Sequence, residues 1–127
     1  MRLTEAEWQL MNALWEGHPA TAREIAGRLP GEVDWAYTTI KTMLTRLAAK
    51  GAVSEDKRAN ASVYTPLVSR EKARRSAISA LLEQAFGGAV EPLLHFLAAD
   101  RKLSDREKQE LRRLLDEERS GKGDGDA

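Results

Sequence analysis

The sequence predicts a mainly α-helical chain carrying one short β-hairpin, and three observations lead there. Apolar residues recur at helical spacing through most of the chain. Three hydroxyl residues each stand three positions before a glutamate (Thr4/Glu7, Thr21/Glu24, Ser104/Glu107), the spacing of a capping box. Two short strand-forming segments follow directly on a helix that ends in glycine. Two short helices, a turn, a third helix with a polar outer stripe and then a hairpin is the order of a winged helix-turn-helix. The expected architecture is a winged helix-turn-helix domain with a two-stranded wing over 1–68, a helical dimerisation domain over 69–118 and a disordered tail over 119–127.

The first helix opens at Thr4, whose hydroxyl and the Glu7 carboxylate can each satisfy an orphan backbone N–H. Trp8, Leu10, Met11, Leu14 and Trp15 share its broad apolar face and are read as core, and Gly17-His18-Pro19 stops it. Thr21 and Glu24 start a second, short helix carrying Ala22, Ile25, Ala26 and Leu29, which ends before Pro30-Gly31. The third helix runs through AYTTIKTMLTRLAAKG, residues 36–51. Ile40, Leu44 and Leu47 form one stripe on it, Thr38, Thr42 and Thr45 the opposite one, with Lys41 and Arg46 flanking the threonines. Gly51 suits the left-handed position past the last turn. Residues 52–57 and 61–65 then read as two strands around Arg58-Ala59-Asn60, with Pro66 closing the second.

Ser69 can cap a long helix to about Phe86, with Ala77, Ile78, Leu81, Leu82, Ala85 and Phe86 on a wide apolar face, and Gly87-Gly88 breaks it. Val90, Leu93, Leu94, Phe96 and Leu97 make the next helix apolar nearly all round, with Pro92 in its first turn. Ser104 and Glu107 start a last helix bearing Leu111, Leu114 and Leu115. About fifty residues are too few to cover so many apolar side chains alone, and each one left wet forgoes roughly 1.5–3 kcal/mol. A homodimer is therefore expected, its interface drawn from Ile78, Leu81, Leu82, Phe86, Val90, Leu93, Leu94, Phe96, Leu97, Leu111, Leu114 and Leu115.

Composition bounds the function. The 127 residues are 42% hydrophobic and 31% charged, enough for a core in one domain or two small ones. There is no cysteine, which removes disulfides, thiolate metal sites and a thiol nucleophile. No run is long and apolar enough to span a bilayer, and the start, MRLTEAEW, is unlike a signal peptide, so a cytoplasmic protein is expected. Net charge is zero, but residues 36–58 hold five bases and two acids, a local +3 set against −3 elsewhere. Such a patch can steer towards DNA on an otherwise acidic body.

Threonine costs roughly half a kcal/mol against alanine in a helix, so four in one helix (Thr38, Thr39, Thr42, Thr45) ask for a reason beyond a solvated face. A short hydroxyl with a methyl suits a base edge. Thr38, Thr39, Thr42, Thr45 and Arg46 are the candidates for contacts to bases, and Lys41, Lys50, Lys57 and Arg58 for the phosphate backbone, the last two at the wing tip. His18 falls in a turn, and His95 on the apolar helix reads as a core or interface residue rather than a metal ligand. No phosphate loop, nucleophile elbow or HExxH motif appears, so no enzyme, metal or cofactor is expected. A winged helix serving only as a protein-interaction module is the alternative.

The segments LTEAEWQLMNALWEGHPATAREIAGRL, YTTIKTMLTRLAAKGAV, VYTPLVSREK and FGGAVEPLLHFLAADRKLSDREKQELRRLLDE, in that order, resemble the BlaI/MecI/CopY family of bacterial transcriptional repressors from Leu3 to about Glu117. The resemblance implies a dimeric repressor binding an inverted-repeat operator in double-stranded DNA. The family's TxxTLLxRLxxKG pattern falls on Thr39, Thr42, Met43, Leu44, Arg46, Leu47, Lys50 and Gly51. It also implies candidate partners, a membrane sensor metallopeptidase or a downstream protease, since the β-lactam branch is released by cleavage at an Asn-Phe pair. The matching position here is Phe96-Leu97. The copper branch senses metal through C-terminal cysteines, which this chain lacks.

Overall fold

The computed structural model describes residues 2–119. Its elements are α1 (Glu5–Trp15), β1 (Ala20–Thr21), α2 (Ala22–Gly27), α3 (Tyr37–Lys50), β2 (Val53–Arg58), β3 (Ala61–Pro66), α4 (Arg70–Phe86), α5 (Val90–Arg101) and α6 (Asp105–Arg119). The chain divides into two compact units, Met1–Ala73 and Arg74–Ala127. The fold is mainly helical with a small antiparallel sheet, the winged-helix arrangement read from the sequence.

All three capping boxes form. The Glu7 N–H donates to Thr4 Oγ1 at 3.2 Å while the Thr4 N–H donates to Glu7 Oε1 at 2.9 Å. Thr21 with Glu24, and Ser104 with Glu107, repeat the exchange. Leu10, Met11 and Leu14 of α1, Ile25 of α2, Ile40, Leu44 and Leu47 of α3, and Val53 and Tyr64 of the sheet are buried in one cluster. Arg28, at the end of α2, donates from Nη1 to the carbonyls of Ala13 and Gly17 at 2.9 and 2.7 Å, tying the exit of α1 to α2.

The sheet has three strands, one more than the two-stranded wing expected. β1 pairs antiparallel with β3, Ala20 opposite Tyr64, and β3 pairs with β2, giving the order β1-β3-β2. A two-residue strand has no period of its own and exists only through that pairing. Pro66 is the last residue of β3, opposite Val53, rather than a stop before it. A strand end is where a missing N–H is tolerated. The tip is the pair Ala59-Asn60, and Ala59 has φ 54°.

Trp8 and Trp15, read as core, are only half-buried. Their rings pair at 6.0 Å and 58°. Trp15 packs at the rim of the cluster and its Nε1–H donates to the Val68 carbonyl at 2.9 Å, holding the segment that enters α4. The Arg70 guanidinium lies 5.5 Å over the Trp15 ring and reaches the Asn12 carbonyl. Indole is too large to vanish inside so small a core, and it uses its N–H at the rim.

In the second unit Leu82, Val90, Leu93 and Leu115 form a buried cluster, bordered by half-buried Ile78, Phe86, Leu97 and Leu111. Leu94 is buried as well. This corrects the interface expected from the sequence: Leu82, Val90, Leu93, Leu94 and Leu115 are buried within one chain. Val90, Leu93, Leu94 and Leu97 fall within an arc of about 100° on α5, which is the face the chain covers itself. His95 and Phe96 lie outside that arc. His95, expected in the core or at an interface, is exposed in the single chain, which removes the core position. Phe96 is 60% exposed, Leu81 48% and Leu114 37%. An ion pair from Arg112 to Glu91 joins α6 to α5. Of the tail expected at 119–127, Arg119 is the last residue of α6 and the rest lies outside the described residues.

Glu7 is the buried acid of the first unit. Its Oε1 accepts from Lys50 Nζ at 2.6 Å, and Lys50 also donates to the Arg2 carbonyl at 2.9 Å. Burial pushes the Glu7 pKa up. The Lys50 and Thr4 hydrogen bonds and the Lys50 charge outweigh it, and the net displacement is downward. A lowered folded pKa gives stability that is present above the unfolded value and is lost as pH falls through the folded one. We expect Glu7→Gln to cost on the order of 1–2 kcal/mol at neutral pH. Thermal melts should show the wild type losing more stability than Glu7→Gln as pH drops through the carboxylate range; parallel losses would contradict the assignment.

Candidate nucleic-acid interface

α3 is amphipathic by register. Ile40, Leu44 and Leu47 are buried, and Thr38, Thr39, Lys41, Thr42, Thr45 and Arg46 are all exposed. Fourteen residues at about 1.5 Å each make a rod of about 20 Å, long enough to lie along a major groove. Its N-terminus has no side-chain cap bond, unlike those of α1 and α2, so its first amides keep their hydrogen-bonding capacity. At the other end Gly51 takes φ 90° and turns the chain directly into β2. The short link from α3 to the wing therefore fixes where the wing emerges.

The Thr42 hydroxyl donates to the Thr38 carbonyl at 3.0 Å. Its proton is thus used within the helix, and what it offers outward is an acceptor oxygen and a methyl. Arg46 forms no ion pair with any described residue.

The four cations expected at a phosphate backbone divide into two kinds. Lys50 is held by Glu7 and the Arg2 carbonyl at the far end of α3, so it is a structural residue and leaves the set. That is a correction with a plain cause, because the acid that claims it is fixed by its own capping box. Arg58 meets Asp56 at 3.2 Å, with both side chains largely exposed. Such a pair is worth little in water and can open. Lys41 and Lys57 are paired with nothing described. They line one groove of about 210 Å³ together with Thr21, Tyr37, Asn60 and Tyr64.

Sequence reading missed Tyr37. It opens α3, is 44% exposed, and carries the Arg23 guanidinium 5.3 Å over its ring. The signal available was an aromatic beside the first threonine, but a stripe counted from Thr38 leaves it out. Glu55 was not singled out either. It accepts from the Ser62 hydroxyl at 2.7 Å and is 3.5 Å from the Tyr64 hydroxyl. Burial first, and then the Glu55 charge, push the Tyr64 pKa up, so the phenol stays neutral. Among the described residues no three His, Cys, Asp or Glu gather in a way that could hold a metal ion. Among them, too, no helix is long and apolar enough to cross a membrane.

A sequence profile of the penicillinase repressor family matches residues 3–117. The chain is 30% identical over 122 residues to a penicillinase repressor of Bacillus licheniformis, covering 95% of this chain and 94% of the relative. It is 28% identical over 113 residues to the methicillin resistance regulatory protein MecI of Staphylococcus aureus strain N315, covering 89% and 92%. A solved CopR repressor structure matches 54% of this chain and 100% of its own, at 33% identity and a TM-score of 0.46.

Gly51 meets nothing within 4 Å of where a Cβ would stand, so its requirement is backbone conformation alone. Gly51→Ala should lower stability by about 1–2 kcal/mol in urea unfolding, the cost of a left-handed L-residue. No loss would mean that the junction between α3 and β2 relaxes freely.

Proposed function

The chain belongs to the penicillinase repressor family, a family of DNA-binding repressors and not of enzymes, and from that premise we propose a homodimer acting on an inverted-repeat operator. Residues 1–68 bind DNA and 69–118 hold the dimer together. Each α3 enters the major groove of one half-site, and the half-sites lie about one turn, roughly 10 bp, or a multiple of it apart. Thr38, Thr39, Thr42, Thr45 and Arg46 face base edges, while Lys41, Lys57 and Arg58 meet phosphates. The observation that carries this reading is the division of α3, whose aliphatic stripe is buried and whose threonine stripe is bare. The exposed threonine hydroxyls, with Lys41, Arg46 and Lys57 paired to no described residue, have no use in the fold itself.

The second unit supports the dimer by what it leaves exposed. Leu81, Phe96 and Leu114 come from three different helices whose other faces already fill the unit's core. Release by proteolysis is a further part of the proposal. The bond that matches the family's cleavage position, Phe96–Leu97, lies inside α5, so a protease would need that helix to open locally.

The test is a mobility shift with the DNA upstream of the chain's own gene, at roughly 50 and 200 mM salt. Binding that weakens steeply with salt is expected; absence of a shift at the lower salt would return the reading to a protein-interaction module. Thr42→Ala should cost roughly 1–3 kcal/mol on the operator and little on random duplex, whereas Arg58→Ala should weaken both alike. An equal loss on both duplexes for Thr42→Ala would remove it from the base-contacting set.

Sedimentation tests the dimer. Phe96→Asp should give a folded monomer, because the side chain is outside the chain's own core. A variant that still sediments as a dimer would place the interface elsewhere.

A further inference from the structure

We infer that Lys41 of α3 and Lys57 of β2 close on a single phosphodiester, in the groove between the recognition helix and the wing. This rests on the DNA-binding reading and goes beyond it, by making one phosphate the joint that fixes the wing against the helix.

The argument starts from what lines the groove. It is bounded by the start of α2, the first turns of α3 and the β2–β3 tip, and among its lining residues there are two cations and no carboxylate. Neither cation is paired with a described residue, whereas Lys50 and Arg58 both are. Two cations lining one small cleft repel each other, and an anion between them would relieve that repulsion. The hydroxyls of Tyr64 and Ser62 are turned to Glu55, so they do not compete for the guest. Thr21 Oγ1 accepts from the Glu24 N–H, which leaves its proton free to donate into the cleft. Asn60 at the tip adds a side-chain amide. Tyr37, held under Arg23, forms a wall at the α3 end. The volume of about 210 Å³ is roughly that of seven waters at about 30 Å³ each, room for a phosphate group and part of its hydration shell. A phosphodiester and a free phosphate share this chemistry. The duplex is the source assigned here, since the groove adjoins the exposed face of α3.

Counterion release separates one shared phosphate from two. The logarithm of affinity falls with the logarithm of salt at about 0.9 per phosphate neutralised. Lys41→Gln, Lys57→Gln and the double variant are titrated with a random-sequence duplex over a range of salt, after circular dichroism confirms that each melts as the wild type does. The double variant should flatten the slope by about 0.9 per subunit, and its loss of affinity should be smaller than the product of the two single losses. A flattening of about 1.8, or no change, overturns the shared site while the DNA-binding reading stands. A wild type with no salt-dependent binding to any duplex overturns both. Inorganic phosphate is the second arm, followed by amide NMR. Shifts at Lys57 and Asn60 that saturate with phosphate but not with duplex would assign the groove to a free anion and overturn the phosphodiester.

Discussion

The burial of Ile40, Leu44 and Leu47 on one side of α3 is the constraint from which the rest follows. Those three side chains are fully or almost fully inside, in a cluster with Leu10, Met11, Leu14 and Ile25. At roughly 1.5–3 kcal/mol each as an upper estimate, they contribute several kcal/mol. Four threonines on the same helix cost about 2 kcal/mol against alanine. Burial therefore wins, and the helix can carry a face chosen for something other than helix stability. Rotating α3 by one residue would carry Lys41 with Thr45, or Thr39 with Arg46, toward the core in place of the aliphatic stripe, so the core alone fixes which side chains look outward.

Charge is arranged on top of that constraint. A net charge of zero gives no hint of a polyanion partner, yet the acids and bases are not mixed evenly. At physiological ionic strength only charges within about 8 Å of one another act together. What counts is therefore which cations are spoken for. Glu7 neutralises Lys50 and Asp56 faces Arg58, while Arg46, Lys41 and Lys57, on or beside the exposed face of α3, pair with no described residue. The family match and this local excess agree, where the total charge is silent.

Much of this was legible in the sequence because the signals were local. A capping box is a three-residue spacing, and all three formed. The α3 stripes and the turn at Gly51 needed only the helical period and a residue that tolerates positive φ. What stayed hidden depends on partners far along the chain. β1 exists because Tyr64 and Val63 lie opposite Ala20 and Thr21. Lys50 looked like any other exposed lysine until Glu7, 43 residues earlier, came beside it. The Lys41–Lys57 groove required the hairpin to fold back towards the start of α3, and Tyr37 acquires meaning only from the Arg23 that covers it.

The second unit shows the limit of reading an apolar helix as wholly buried or wholly shared. α5 has an arc of Val90, Leu93, Leu94 and Leu97 turned to its own chain, and Phe96 on another side. α4 likewise buries Leu82 and exposes Leu81, and α6 buries Leu115 and exposes Leu114. Adjacent residues on a helix differ by about 100°, so each such pair addresses two different surfaces. One surface is the small core that a unit of this size can close for itself. Outside that core Leu81, Phe96 and Leu114 stay exposed, one on each of three helices. Phe96 keeps one contact within the chain, its ring meeting that of Phe86 at 6.4 Å, but most of its surface and much of Leu81 and Leu114 stay open, and exposed side chains of this size invite association. The physical case for a second subunit therefore rests on the residues the first cannot cover, and the leucines it has already buried add nothing to that case.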